Sequence, residues 1–576
     1  MLGQRLAEQF SAVYSQACDD LEVDLWVNRL LDAARLKSHQ ALAESHVNHW
    51  DETDVALITY GDSVLSDGFK PLESLHYFLN RYLRHSISWV HILPFHPWTS
   101  DDGFSVLDYS SVNEALGDWP DITRLGVDYR LMADLVLNHC SSRSVWFENF
   151  RQGVEPGKDY FFTADIDFDI SEVVRPRTSA LLQQIETAQG PQSVWCTFSH
   201  DQVDFDFTNP AVLLEFVKII RQLLDAGVRV FRLDAVAFLW KESGSSCINL
   251  PQTHGIIRLL RTVIESAQAD AIVITETNIP NAENLSYFGN GNEAHGIYNF
   301  SLPPLLVHGL LEGTSRHLSH WLTAMPPAQD GTVYFNFIAS HDGIGLRPAE
   351  GILASDDVAA LINAVEARGG VISSREAEQG RQRPYELNIS LFDLLTTDSD
   401  GELDHWGFER FICAHAIMLG LEGIPAFYIH SLLATGNDID KMQNSAHNRA
   451  INRHQWQLET LSAALEDRHS PQYRALHTLK ALIARRKQQA AFHPNATQFT
   501  LRLGEALLGF WRQSPNRQQS IFCLHNMTNT PQILSLAALN LITTDSWYDL
   551  ISEESVSTDQ AQIQFKPYQS YWLTNV

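Results

Sequence analysis

The composition of the 576-residue chain, 44% hydrophobic and 19% charged, is typical of globular proteins, and the chain is too long for one compact core. Its formal net charge of −28 argues against nucleic acid or an anionic membrane as a partner, because their phosphate groups would be repelled. It has neither an apolar run of the roughly 20 residues that a membrane span needs nor a basic and apolar leader, so we expect a cytoplasmic protein.

The spacing of apolar residues changes near residue 51. Residues 1–50 place apolar side chains at roughly helical spacing and predict an N-terminal helical extension. From residue 51, short apolar runs that end in polar residues alternate with long helical stretches. The runs are Val55–Asp62, Val90–Phe95, Arg130–His139, Val228–Ala235, Ala271–Thr277, Gly296–Leu302, Val333–Asp342 and Ile424–His430. This alternation predicts an α/β fold, a (β/α)8 TIM barrel occupying residues 51–140 and 206–485.

Two long insertions and a change of pattern complete the predicted architecture. Residues 140–205 are too many for one helix and show little periodicity, so we predict an inserted subdomain over the barrel mouth. Residues 343–400 predict a second insertion, which would hold the acceptor loops. Alternating apolar and polar residues return near the end and predict a C-terminal antiparallel β-domain over residues 486–576.

Carboxylic acids stand at the ends of three predicted strands. Asp234 ends the fourth strand, Glu276 the fifth and Asp342 the seventh. Catalytic groups of such a barrel lie at the C-terminal ends of its strands, so we expect the acids to converge. Retaining cleavage of a glycosidic bond needs one carboxylate that attacks the anomeric carbon. It also needs a second carboxyl, of raised pKa and about 5–5.5 Å away, that protonates the leaving oxygen.

The polar strand ends together resemble the four signature regions of the α-amylase superfamily. These regions are Asp134–His139, Arg232–Ala235, Thr275–Thr277 and His341–Asp342. The resemblance implies that Asp234 is the nucleophile, which Arg232 keeps ionised. It implies that Glu276 is the general acid/base and that Asp342 binds sugar hydroxyls and stabilises the oxocarbenium-like state.

The same resemblance implies residues that surround one glucosyl unit. His139 and His341 would hydrogen-bond the glucose, while Asp134 and Asn138 would brace the site. A lone aspartate at a strand end is more often a cap or a turn residue. Four segments in the right order make coincidence a poor explanation.

Finer motifs resemble the sucrose phosphorylase group from about residue 55 to the C-terminus. They are His91–Phe95, Ser100–Phe104, Gly117–Trp119, Gln202–Asp204, Leu302–Leu306, His341–Gly345 and Asn448–His454. The match implies that Asp101 and Arg449 close the far end of the glucose pocket and that Phe104 offers an apolar platform for the ring. It also places Gln202 among the substrate-binding residues.

A phosphorylase must let phosphate, rather than water, attack the glucosyl-enzyme, and phosphate needs a cation with several donors. The resemblance implies that Arg177 contacts phosphate, with Arg175 as the second choice. Tyr385 matches a loop tyrosine that helps to bind phosphate or the acceptor.

The acceptor side departs from the pattern of the group. Glu386 replaces a glutamine, Arg383 replaces an acid, and Ala359 stands where an acidic residue near the fructose site is expected. We include Glu386 and Arg383 among the phosphate or acceptor residues. Arg383 would suit an acidic acceptor or would merely accompany phosphate, so the leaving group stays open.

The first hypothesis is a retaining sucrose phosphorylase that forms α-glucose 1-phosphate and fructose through a covalent β-glucosyl-enzyme and also transglucosylates. The alternatives are a glucosylglycerol or glucosylglycerate phosphorylase, and a hydrolase or transglucosidase of sucrose-like glucosides. A non-catalytic sugar-binding protein is disfavoured because all three acids are present.

No cofactor is expected, since no nucleotide or flavin fingerprint occurs, and inorganic phosphate is the expected co-substrate. No acid-rich loop has calcium-ligand spacing, so we predict no metal. The six cysteines are scattered without a C-x-x-C pair and predict reduced, buried thiols. A monomer and a homodimer both remain open.

Overall fold

The computed structural model describes residues 1–15, 18, 20–376, 382–445, 447–539, 547–556 and 561–575. At its centre, eight parallel strands form a closed barrel in which neighbours in the chain are neighbours in space. The strands are β1 (Ala56–Thr59), β2 (Trp89–Ile92), β3 (Arg130–Val136), β4 (Val228–Asp234), β5 (Ile272–Thr275), β6 (Gly296–Tyr298), β7 (Val333–Phe337) and β8 (Ile424–Tyr428). Each overlaps its predicted run, and the predicted (β/α)8 barrel is confirmed.

Burial on both faces explains why the strand runs are apolar. Every residue of β1, β2, β5, β6, β7 and β8 is buried, because helices cover the outside and side chains fill the interior. Most strands are shorter than their predicted runs. The polar residues that close the fifth and seventh runs follow β5 and β7 as loops at the barrel mouth, and these loops carry Glu276 and Asp342.

Helices connect the strands around the outside. The main ones are Pro71–Phe78, Trp119–Asp128, Pro210–Asp225, Pro251–Ala267, Asn281–Leu285, Leu302–Glu312, Arg316–Ala324, Leu391–Thr396, Gly407–Gly420, Ile429–Leu432, Ile439–Ser445, Leu458–Glu466 and Pro471–Arg486. Local signals fix their starts: Asn209 caps Pro210–Asp225 by accepting from the Ala211 N–H, and proline occupies the first turn. No helix in the described ranges is long and apolar enough to cross a membrane.

Two N-terminal helices, Leu2–Tyr14 and Asp20–Ala34, pack on the outer helices of the barrel. The first lies against Pro251–Ala267, with Leu6 and Phe10 fully buried. Helices Leu2–Tyr14 and Pro251–Ala267 approach closely at Gly255, where an added Cβ would lie 2.5 Å from a methyl carbon of Val13.

The chain between β3 and β4 forms small sheets over the mouth. His139–Ser141 pairs with Gln202–Asp204, and the hairpin Leu182–Thr187 and Gly190–Trp195 follows the helix Val145–Gln152. This pairing carries Gln202 back to the end of β3.

Between β7 and β8, the helix Ser355–Ala367 leads into a second small sheet. The strands Val371–Glu376 and Gln382–Asn388 pair antiparallel, and Ile344–Gly345 pairs with the second of them. This sheet carries Tyr385 and Glu386 to the barrel mouth.

The C-terminal domain is antiparallel, as predicted. Its main sheet contains Thr497–Leu501, Leu507–Gln513, Ser520–Asn526, Ser570–Thr574, Trp547–Asp549 and Glu554–Val556. A separate pair is formed by Gln532–Ser535 and Gln562–Phe565. Buried side chains such as Phe510 and Cys523 pack this domain against the barrel.

Candidate active site

A cavity of about 680 Å³ at the C-terminal ends of the strands is the candidate active site. We call it the active-site cavity. Most of the sequence-predicted residues line it: Asp101, Phe104, His139, Arg177, Gln202, Arg232, Asp234, Glu276, His341, Asp342, Tyr385 and Arg449. The barrel therefore brings residues from opposite ends of the chain to one hollow.

One buried guanidinium holds the two proposed catalytic carboxyls. Arg232 and Asp234 lie two residues apart on β4, so their side chains share a face. Arg232 Nη1 donates to Asp234 Oδ1 at 2.7 Å, and Arg232 Nη2 lies 3.9 Å from Glu276 Oε1. Arg232 also forms an ion pair with Asp134. Glu276 is fixed from its other side by the backbone N–H of Ala235, 3.1 Å from Oε2.

Desolvation sets the protonation of this pair. Burial raises the pKa of both Asp234 and Glu276, and the positive charge of Arg232 opposes the rise at each. Because the guanidinium donates directly to Asp234 and only approaches Glu276, the negative charge is better stabilised on Asp234. The arrangement therefore suits an ionised Asp234 beside a protonated Glu276.

Asp342 is held in its ionised form by a second arginine. Arg449 Nη1 lies 2.6 Å from Asp342 Oδ1. Burial alone would raise the pKa of Asp342, but Arg449 and the neighbouring cations lower it below its usual value. A permanent negative charge at this wall would stabilise a developing positive charge on a sugar ring.

The other donors of Arg449 are bonded to Glu386. Its Nε and Nη2 donate to the two carboxylate oxygens of Glu386 at 3.0 and 2.9 Å. Glu386 is 2% exposed and does not line the active-site cavity. Both of its oxygens accept from Arg449, and it lines a wider pocket outside the cavity together with Arg177 and Tyr385, so its contact with phosphate or the acceptor stays a prediction.

Aromatic and imidazole rings form the wall predicted to bind glucose. The ring of His341 stacks on Phe104 with centroids 5.2 Å apart. Nε2 of His139 lies 3.0 Å from the carbonyl oxygen of Phe104 and 3.2 Å from the amide nitrogen of Gln202. Burial lowers the pKa of both histidines, so they face the cavity as neutral hydrogen-bonding groups.

Arg453, which sequence reasoning missed, braces this wall. Its Nε donates to the carbonyl oxygen of His341 at 2.9 Å, and its Nη1 lies 2.6 Å from Asp102. It stands in the same Asn448–His454 motif as Arg449, so the motif was the available signal.

A second group of lining residues, which we call the acceptor wall, consists of Arg177, Asn278, Arg347 and Tyr385. The guanidinium of Arg177 lies over the rings of Phe198 and Tyr385, 5.7 and 5.4 Å from their centroids. Asn278 Nδ2 donates to the Tyr385 hydroxyl at 3.3 Å. Arg177 and Tyr385 also line a wider, outer vestibule of about 1420 Å³.

Three further residues of the predicted acceptor side, like Glu386, do not line the active-site cavity. Arg175 contacts the carbonyl oxygen of Ser179 on its own loop, so Arg177 is the arginine that faces the cavity. Arg383 is exposed, because residues 382–384 lie at the solvent end of their hairpin. Ala359 is exposed on the helix Ser355–Ala367 and lines neither the cavity nor the vestibule. Neither Arg175 nor Arg383 lines the cavity or the vestibule, and the phosphate or acceptor contacts expected of them stay predictions.

Arg347 is the main residue of the cavity that sequence reasoning missed. It is buried, follows the His341–Gly345 motif by two residues, and lines the cavity. No carboxylate of the described residues lies within ion-pair distance of it. Its place directly after a recognised motif was the signal that could have identified it.

One cluster of possible metal ligands lies outside the cavity. The ligand atoms of His308, His317 and Asp357 lie within 4.8 Å of one another. The imidazoles already face different oxygens of Asp357, at 3.3 and 3.1 Å, and Asp357 also accepts from the Ala354 N–H. These pairings account for the cluster, and the absence of a metal stays a prediction.

The comparisons with known proteins agree with this geometry. Residues 82–342 match the model of the alpha amylase catalytic domain. The chain is 40% identical to a glucosylglycerate phosphorylase of Spirochaeta thermophila over 91% of this chain and 90% of that protein. The chain belongs to the sucrose phosphorylase group of the α-amylase superfamily. It is accordingly an enzyme of the glycoside phosphorylase class, which transfers hexosyl groups.

Within this group, similarity to sucrose-specific members is lower. A sucrose phosphorylase of Streptococcus mutans is 28% identical over 76% of this chain and 88% of its own length. The crystal structure of a sucrose 6F-phosphate phosphorylase from Thermoanaerobacter thermosaccharolyticum shares the fold with a TM-score of 0.71, at 23% identity. The matched region covers 82% of this chain and 94% of the chain in that crystal structure.

Proposed function

We propose that the protein is a retaining glucosylglycerate phosphorylase, which converts glucosylglycerate and phosphate into α-glucose 1-phosphate and glycerate. The observation that carries the proposal is the charge of the acceptor wall. Arg177 and Arg347 both line it, and neither forms an ion pair within the described part of the chain. Glycerate and phosphate are both anions, so each would supply the missing negative charge.

This proposal places one alternative ahead of our first hypothesis. Sucrose releases neutral fructose, which would leave a cationic wall without a partner when phosphate is absent. The 40% identical relative is named for glucosylglycerate, whereas the relative named for sucrose is 28% identical. Both observations support the anionic acceptor.

In the first step of the proposed reaction, a carboxylate oxygen of Asp234 attacks the anomeric carbon. The bond from that carbon to the glycosidic oxygen breaks, and Glu276 gives its proton to the departing oxygen of glycerate. Arg232 stabilises the ionised Asp234 before attack, and Asp342 stabilises positive charge on the ring as the bond breaks.

In the second step, phosphate occupies the place that glycerate has left. Glu276, now ionised, takes a proton from phosphate as a phosphate oxygen attacks the same carbon. The bond to Asp234 breaks, and the product keeps the α configuration because the carbon is inverted twice. Water at this position would give glucose instead, so the anion-binding wall favours phosphorolysis over hydrolysis.

A substrate panel tests the proposal. The enzyme is incubated with phosphate and glucosylglycerate, glucosylglycerol or sucrose, and α-glucose 1-phosphate and free glucose are measured. We expect glucose 1-phosphate from glucosylglycerate at a kcat/KM well above that from the two neutral-acceptor substrates. Higher kcat/KM with sucrose, or glucose instead of glucose 1-phosphate as the main product when phosphate is present, would overturn it in favour of the sucrose or the hydrolase alternative.

A further inference from the structure

Arg347 differs from Arg232 and Arg449, the two arginines that meet the catalytic carboxyls, in having no partner charge among the described residues. Arg232 and Arg449 each meet a carboxylate, at 2.7 and 2.6 Å. Arg347 has a relative exposure of only 9%, and its Nε is buried without a hydrogen-bond partner among the residues that the structure describes. A buried cation without a counter-ion is unfavourable, so such residues are normally paired or await a ligand.

Backbone contacts hold Arg347 at the acceptor wall. The N–H of Leu346, its chain neighbour, donates to the carbonyl oxygen of Tyr385 at 2.9 Å. Gly345 permits the close packing of this segment, since an added Cβ there would lie 2.6 Å from Oδ1 of Asn278. The segment is therefore fixed against two residues that line the same cavity as Glu276.

We propose that Arg347 is the centre of a carboxylate subsite and binds the acid group of glycerate, which makes it the residue that selects an anionic acceptor. The proposal rests on the proposed function. A guanidinium matches the two oxygens of a carboxylate with two parallel donors. A neutral acceptor such as glycerol or fructose would leave it unpaired, and a site built for a charged group discriminates strongly against analogues that lack it.

The second free cation is assigned to phosphate on its position. Arg177 lines both the active-site cavity and the outer vestibule, between the rings of Phe198 and Tyr385. It therefore borders both spaces, whereas Arg347 lines only the active-site cavity. The two arginines would then serve two anions that occupy the acceptor side in alternate steps.

The full-length Arg347→Gln variant tests the subsite in the synthetic direction. The enzyme receives α-glucose 1-phosphate with either glycerate or glycerol as acceptor, and KM and kcat are measured for each. We expect KM for glycerate to rise at least about 10-fold, which corresponds to the loss of one charge-assisted hydrogen bond. KM and kcat for glycerol should stay within about twofold of the wild-type values. Arg347→Lys should restore part of the glycerate affinity.

Two controls separate a lost contact from a damaged fold. Hydrolysis of α-glucose 1-phosphate by Arg347→Gln should persist, because Asp234 and Glu276 are untouched. Arg316→Gln removes an exposed arginine on the outer helix Arg316–Ala324 and should behave as wild type.

Each outcome decides one question. If the wild-type enzyme does not use glycerate, the proposed function is wrong. If the wild type uses glycerate and Arg347→Gln has the same KM for it, only the carboxylate subsite is wrong. Equal losses with glycerate and glycerol, or a rise in KM for phosphate instead of glycerate, would overturn the subsite as well.

Discussion

Replacing Glu386 by alanine tests whether this residue acts through Arg449 and not by touching the acceptor. The buried ion pair has hydrogen bonds of 2.9 and 3.0 Å, and the side chains of Glu386 and Arg449 are 2% and 13% exposed. Breaking a buried pair costs about 3–5 kcal/mol when the surviving charge is left alone. Here Asp342 still pairs with Arg449 at 2.6 Å, so we expect the smaller loss of about 1.5–3 kcal/mol.

The matched control is another ion pair of the same insertion. Glu350 meets Arg375 at 3.0 Å, but the Glu350 side chain is 48% exposed. Water screens such a pair, and its loss is worth about 0–1 kcal/mol. Thermal inactivation of Glu386→Ala, Glu386→Gln and Glu350→Ala, followed with and without substrate, compares the pairs directly.

The loss of activity should be larger for Glu386→Ala than for Glu386→Gln, as we expect for the loss of stability. Glu386→Ala frees the strand that carries Tyr385, so we expect higher KM values for all acceptors with hydrolysis retained. Glu386→Gln keeps one oxygen that accepts from Arg449 and should lose less. The reasoning fails if Glu386→Ala is as stable as Glu350→Ala, or if it changes KM for one acceptor alone.

Three further predictions concern protonation, phosphate and packing. Because Glu276 has a raised pKa and must be protonated in the first step, kcat/KM of the wild type should fall as pH rises through that pKa. Glu276→Gln should be slow at every pH, and its pH–rate profile should lack this alkaline limb. Arg177→Ala should lose phosphorolysis and spare glucose release, and equal loss of both rates would contradict its assignment. Gly345→Ala would bring a methyl group 2.6 Å from the Asn278 side chain, so acceptor KM should rise while hydrolysis stays; an unchanged KM would contradict this packing.

The barrel could be predicted because its strands are buried on both faces and therefore read as apolar runs. The acids could be predicted because they stand where those runs end. Asp234, Glu276 and Asp342 needed only the general geometry of a barrel to be placed on one rim. Their roles came from the resemblance to the superfamily.

The acceptor side could not be predicted in the same way, because it is built from long insertions without strand periodicity. Arg383 and Arg347 are both arginines near the Tyr385 loop, yet only Arg347 lines the cavity. The pairing of Glu386 with Arg449 joins residues 63 positions apart, which no local pattern reveals. The sequence shows which residues are cationic, but only their packing in the fold shows which of them line the cavity.

The assignment of Asp234 and Glu276 can be tested most directly by trapping the glucosyl-enzyme. In Glu276→Gln, α-glucosyl fluoride can still glycosylate the protein because fluoride leaves without an acid, while the second step lacks its base. Peptide mass spectrometry should then find one hexosyl unit on the peptide that contains Asp234, and none in Asp234→Asn. Label on another carboxylate, or product formed with inverted configuration, would contradict the mechanism.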